Sequence, residues 1–169
     1  KGKKNENRNM NAISFLLKPA SASCNMRCRY CFYEDVSNLR ESHNLGLMSL
    51  ETADSLIEWA FSSLDDDGVV SFAFQGGEPT LRGLDFFKAF TRKVNESRRK
   101  NQKVSFSLQT NGYTISEDWA TFFKENSFLV GISVDGNLKE HNRNRIDAKG
   151  EGTYLRILEN VKILEKYGV

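Results

Sequence analysis

Four short apolar runs, each followed by a stretch with helical spacing, constrain the fold of this 169-residue chain more than any other feature. Residues 12–18, 69–75, 103–109 and 128–134 read as buried strands. Helices are predicted over 50–64, capped by Ser49 with Ala53, Ile57, Ala60 and Leu64 on one face, and over 84–100 with Leu84, Phe87 and Val94 inward. Two more are predicted from Ser116 to 125, carrying Trp119, Phe122 and Phe123, and from Thr153 to 167, with Tyr154, Ile157, Val161 and Leu164 inward. Asp65-Asp66-Asp67-Gly68 is expected to end the first helix, and residues 34–47 read as loop. Regular alternation with near-continuous apolar strands implies an α/β fold, a parallel sheet covered by helices, joined by right-handed crossovers.

The chemically unusual residues fall just past the strand ends. They are Cys24, Cys28 and Cys31 after the first, Gly76-Gly77-Glu78-Pro79 after the second, Gln109-Thr110-Asn111-Gly112 at the third and Ser133-Val134-Asp135-Gly136 at the fourth. That rim is where parallel α/β proteins bind ligands, so the motifs predict one pocket. The three cysteines are the only ones in the chain and occupy eight residues, spaced C-x3-C-x2-C. Three thiolates so close point to a metal centre. Iron–sulfur clusters usually take four, and three leave one position open for chemistry, as in catalytic zinc sites. The plainer alternative is a structural zinc module with His43 as fourth ligand. A disulfide framework fits poorly with an odd cysteine count.

Gly76 and Gly77 permit a sharp turn and a close approach to a ligand, so Gly77→Val is expected to block ligand entry and spare the metal centre. Glu78 can receive an ammonium group or anchor the turn. Gln75, Gln109, Asn111, Ser133 and Asp135 are polar groups at the ends of apolar strands; a polar ligand would satisfy them, although Asn111 and Asp135 also suit turn capping. Arg145, or Arg156, can pair with a carboxylate; the plainer reading of the segment from His141 through Arg145 is a solvated loop. Tyr30 and Tyr33 flank Cys31 and can shield the centre, and Met26 and Arg27 are expected to cover it.

Residues 1–11 are expected to form a flexible basic tail and 12–169 one domain. The net charge is +2, with a local +3 in residues 1–10, and nothing else forms a basic stripe for nucleic acid. No apolar run reaches membrane-spanning length. Free thiols that must stay reduced imply the cytoplasm.

Cys24-x3-Cys28-x2-Cys31 followed by Phe32, with Gly76-Gly77-Glu78-Pro79 one strand later, resembles the radical S-adenosylmethionine (SAM) enzymes. The wider string narrows the likeness. Leu17-Lys18-Pro19-Ala20-Ser21, Phe72 through Thr80, Ser107 through Gly112 and Gly131 through Gly136 resemble the anaerobic sulfatase-maturating enzymes, a branch with a cysteine-rich SPASM extension. The resemblance implies a 4Fe–4S cluster on Cys24, Cys28 and Cys31, with SAM bound to its open iron. The residues it implies around SAM are Tyr30, Tyr33, Gln75, Gly76, Gly77, Glu78, Gln109, Asn111, Ser133, Asp135 and Arg145. It implies reductive cleavage of SAM to a 5′-deoxyadenosyl radical, an external donor such as flavodoxin or ferredoxin, and oxidation of a sulfatase Cys or Ser to Cα-formylglycine. A maturase of another ribosomal peptide is the alternative substrate assignment. The family's barrel is a partial (β/α)6, and about four βα units fit here. The chain therefore reads as the N-terminal portion of the core domain, without the extension or the general base, and with little activity alone.

Overall fold

The computed structural model describes residues 10–33, 39 and 41–169. The expected tail lies outside the described residues as far as residue 9; Met10 and Asn11 already belong to the first strand. Strands β1 (Met10–Leu17), β2 (Leu64–Phe74), β3 (Lys103–Thr110) and β4 (Phe128–Ile132) form a sheet in chain order, every neighbouring pair parallel. Helices α1 (Leu50–Ser63), α2 (Leu84–Ser97), α3 (Glu117–Glu125), α4 (Leu138–Asn144) and α5 (Tyr154–Tyr167) connect or follow them, with a 3-10 turn at Pro79–Arg82.

Register is pinned by an aromatic ladder. Phe15, Phe72, Phe106 and Phe128 are direct cross-strand partners on β1 to β4. Successive rings lie 5.5, 6.0 and 5.0 Å apart and nearly parallel. A slip of one residue would turn the whole ladder to the other face. The ladder faces the helices, where Phe90 of α2 meets Phe72 edge-on at 5.1 Å. On the opposite face Ser14, Ser71 and Ser105 align across three strands, with Ser105 donating to Ser71 at 2.8 Å, and the next row runs Leu16, Ala73, Ser107 and Leu129, its two leucines exposed. The strands are therefore less uniformly apolar than predicted.

Three local expectations change. β2 begins at Leu64, five residues early, because the acidic run Asp65-Asp66-Asp67-Gly68 continues the strand past a register shift against Met10 and Ala12. Buried Gln102 donates to Asp65 O at 3.0 Å, and Arg99 donates to Phe61 O and Leu64 O at 2.9 Å, which ties down a helix-to-strand junction that has no loop. In α2 the inward face is Phe86, Phe87, Phe90 and Val94, while Leu84 is half-buried. The predicted solvated loop after β4 contains α4, capped by Asn137, and places His141 in the interior at 0% exposure.

Ser49 and Ser116 cap α1 and α3 as predicted, accepting from Thr52 N and Trp119 N. Thr153 stands at the cap position of α5 but makes no side-chain cap bond; its hydroxyl donates to Arg145 O at 2.9 Å.

Candidate active site on the strand-end rim

A parallel sheet in chain order puts all four strand C-termini on one rim, and the motifs gather there. The cysteine loop after β1 is clamped from two sides. On one side, Gly77 N–H and Glu78 N–H donate to Ser21 O and Ser23 O at 3.0 and 2.7 Å. On the other, Arg27 N–H and Arg29 N–H donate to Ile146 O and Asn144 O at 2.7 and 2.9 Å. Gly77 sits so close to the loop that a Cβ there would lie 2.1 Å from Ser23 O. Its glycine requirement comes from protein backbone rather than from a ligand.

Glu78 has 0% exposure. Its Oε1 accepts from Thr80 N–H (3.1 Å), Thr80 O–H (2.7 Å) and Thr110 O–H (2.7 Å), and its Oε2 accepts from Asn111 N–H at 2.8 Å. Of the two roles open to Glu78 in the sequence, the geometry displays the anchor: the carboxylate ties the β2 turn to the end of β3.

All three cysteines line one cavity of 460 Å³. So do Tyr30, Tyr33, Gln75, Gly76, Gly77, Gln109, Asn111, Ser133 and Arg145, drawn from all four strand ends and the segment after α4. Thr110, Ala22, Met26, Arg27 and Phe32 complete most of the wall. Met26 is buried and Arg27 exposed. Glu78 and Asp135 stand behind the lining. Arg156 is turned away, donating to Tyr113 O at 3.0 Å with its guanidinium 3.9 Å from the Tyr113 ring centre. Ser133, as its alternation implied, faces the cavity, accepting from Gln109 Nε2 at 3.0 Å. Gly131 leaves room for Gln109, whose Oε1 would lie 2.2 Å from a Cβ at that position.

Arg145 is the cavity's oriented cation. Its Nε donates to Asp135 Oδ1 at 3.0 Å, its guanidinium lies 5.3 Å from the Tyr30 ring centre, and its Nη1 reaches Cys28 Sγ at 3.9 Å. Tyr30 O–H donates to the other Asp135 oxygen. Burial and that bond push the Tyr30 phenol up to about 12. Burial alone would raise the Asp135 carboxyl, but the bonds from Tyr30 and Arg145 outweigh it and hold the group below its usual range. Burial also pushes the Cys24 and Cys28 thiols up, with Glu78 adding to the first and Arg145 opposing the second. Metal ligation requires thiolates, so loading this site releases protons.

His141 supports the same segment. Thr153 commits its hydroxyl proton to Arg145 O, so it accepts from His141 Nε2–H at 3.0 Å, and Nδ1 accepts from Asp135 N–H at 3.3 Å. This assigns the neutral Nε2–H tautomer. Burial, then the Arg145 charge, lowers the His141 pKa. The sign follows: above the unfolded value near 6.5 both states are neutral, and below it the unfolded chain takes the proton first. Stability should therefore fall as pH drops from about 6.5 toward 5. His141→Gln should flatten that part of a melting-temperature profile; an unchanged slope would refute the assignment.

A family model described as the Radical SAM superfamily matches residues 19–169. The chain belongs to this superfamily. It is 48% identical over 160 residues to a cysteine-type anaerobic sulfatase-maturating enzyme of Clostridium novyi, covering 95% of this chain and 42% of that protein. Identity is 30% over 154 residues to a serine-type enzyme of Bacteroides thetaiotaomicron, covering 91% and 37%. A solved structure of native anSMEcpe with bound AdoMet and Cp18Cys peptide superposes with a TM-score of 0.83 at 43% identity, over 92% of this chain and 40% of that one. The chain thus spans about two fifths of the length of these relatives.

Radical SAM proteins use a 4Fe–4S cluster and SAM, and the donor set fits that pair. Among the described residues no three His, Cys, Asp or Glu side chains converge as a single ion would need. Zinc ligands each lie within about 2.3 Å of one ion, whereas a cluster takes its thiolates at separate corners. Three cysteines lining one cavity, with no fourth in the chain, match the cluster. His43 is exposed and lines a separate 660 Å³ hollow without any cysteine, so the zinc alternative lacks its fourth ligand. The sequence reading missed His141 and Asn25. The only signal for His141 was its place in a polar run; Asn25 is named by the cysteine spacing itself.

Proposed function

We propose that this chain, over residues 12–169, is the N-terminal portion of the core of a peptide-modifying radical SAM enzyme that converts a sulfatase cysteine to Cα-formylglycine. The observation that carries the reading is the convergence of three cysteines, with no fourth in the chain, on a cavity whose other walls are the remaining strand ends. Bound there, the cluster and SAM would supply one-electron cleavage of a sulfonium and a carbon radical able to take a hydrogen atom from a side chain.

The chain's own residues would bind and orient. Cys24, Cys28 and Cys31 would hold the cluster. Arg145, fixed by Asp135 and backed by Tyr30, would neutralise the SAM carboxylate. Gln75, Gly76 and Gly77 would offer backbone and amide groups to its ammonium, with Glu78 holding their turn. Gln109 and Ser133 would meet its ribose or carboxylate and Tyr30 or Tyr33 its adenine, while Asn111, its amide turned to Asn25 and Cys24, would line the wall at the cluster. Cysteine is preferred to serine as target because the chain is more similar to the cysteine-type relative. The electron would come from an external low-potential donor such as flavodoxin or ferredoxin. The setting would be the reducing cytoplasm, which suits thiols reserved for metal; no described helix is long and apolar enough to cross a membrane.

The test is product analysis. The protein joined to its downstream sequence, given reductant, SAM and a sulfatase peptide bearing the target cysteine, should form 5′-deoxyadenosine and a peptide aldehyde. Deoxyadenosine without any aldehyde would remove the sulfatase assignment and leave the cofactor assignment standing.

A further inference from the structure

Asn25, inside the cysteine loop, carries a buried amide Nδ2 with no hydrogen-bond partner, the only such side-chain atom among the described residues. Buried donors are nearly always paired, and an orphan needs a reason. Its orientation is forced by its neighbours. Asn111 Oδ1 accepts from Tyr113 N–H at 2.9 Å, so Asn111 Nδ2 must face the cysteine loop. There it donates to Asn25 Oδ1 at 2.8 Å and approaches Cys24 Sγ at 3.7 Å. Turning Asn25 over would set two amide NH2 groups against each other at 2.8 Å. Turning Asn111 over would set its NH2 against Tyr113 N–H. The pair therefore has one polarity: Asn25 Oδ1, itself 4.0 Å from Cys24 Sγ, holds Asn111 Nδ2 toward that sulfur, and Asn25 Nδ2 is left buried and unpaired as the consequence. Glu78 holds the start of the relay through Asn111 N–H, and Gly112, at φ +73°, provides the left-handed bend that follows.

Cys24 is the sulfur this network serves. It also receives Met26 N–H at 3.4 Å, whereas Cys28 has only the Arg145 contact at 3.9 Å. The side-chain donor on the Cys24 sulfur is Asn111 Nδ2. N–H donors around cluster sulfur stabilise the added electron and raise the reduction potential.

We propose that Asn111 Nδ2, oriented by Asn25 Oδ1, is a hydrogen-bond donor to the cluster corner at Cys24, and that it raises the cluster's reduction potential. This rests on the three-cysteine cluster proposed above. Neither amide is a cluster ligand; Asn25 and Glu78 are positioning residues that act through Asn111.

The test is a redox titration of the reconstituted protein, followed by the visible absorption and electron paramagnetic resonance of the cluster. Asn111→Asp keeps the acceptor for Tyr113 N–H and removes the donor. Asn25→Ala removes the acceptor that orients Asn111 Nδ2. Both should hold a cluster, and both should take up the electron at least tenfold less favourably, about 59 mV per tenfold for one electron. Asn44→Ala reads general loosening of the loop, because it cuts the 2.9 Å Asn44–Ser23 bond elsewhere on the loop; it should leave the potential in place. An unchanged potential in both loaded amide variants overturns the proposal. So does an equal fall in Asn44→Ala, or failure of both amide variants to load. If Asn111→Asp alone fails to load, Asn25→Ala decides. Wild-type protein that takes up no cluster would instead sink the cluster reading itself.

Discussion

Alanine at any one of Cys24, Cys28 or Cys31 is expected to abolish iron and sulfide uptake and the broad visible absorption that accompanies it. The chain contains no spare cysteine, and no other group of metal-ligating side chains stands by among the described residues. Loss of an outer-shell partner costs roughly 10–100-fold in metal affinity, and loss of one of three direct ligands should cost more. The loop itself should survive, since its clamps at Gly77, Glu78, Asn144 and Ile146 use backbone atoms only. Circular dichroism should therefore match the wild type while iron content collapses. Full clusters in all three variants would mean that the cysteines are not the ligands.

Gly77→Ala is expected to displace the cysteine loop and lower cluster content. The added Cβ would meet Ser23 O at 2.1 Å, Ser23 C at 2.7 Å and Ala22 C at 2.8 Å. These are backbone atoms, so no side-chain rotation relieves the contact. Overpacking of this kind costs about 1–3 kcal/mol, and it acts where two of the loop's backbone hydrogen bonds are made. The sequence alone suggested that a larger residue here would block a ligand and spare the metal centre. The geometry reverses that order: the loop yields first. Gly77→Val should be worse than Gly77→Ala, and iron analysis beside thermal melting would show both losses together. A valine variant with full iron content would restore the simpler view.

The rim was legible in the sequence because strand periodicity and motif placement are local signals. Once β1 to β4 were read as parallel, Cys24, Gly77, Asn111 and Ser133 had to meet. The direction in which a side chain points behind the rim was not legible. Glu78 looks like a ligand in a Gly-Gly-Glu turn, and only the neighbouring Thr80, Thr110 and Asn111 N–H reveal a carboxylate already satisfied. His141 looked solvated because its polar neighbours set the pattern, while its burial depends on Thr153, twelve residues on. Arg145 and Arg156 were equivalent candidates until Tyr113 claimed the second. The early start of β2 had the same cause, since Arg99 and Gln102 fix the Leu64 junction from far along the chain.

The central claim, one cofactor pocket built on three cysteines, is tested most directly by electron paramagnetic resonance of the anaerobically reconstituted and reduced protein, with and without SAM. The reduced protein should hold about four irons per chain and show a cluster signal that changes shape when SAM is added, as expected if SAM binds at the open iron. A colourless protein holding a single zinc ion, or a cluster whose signal ignores SAM, would contradict it.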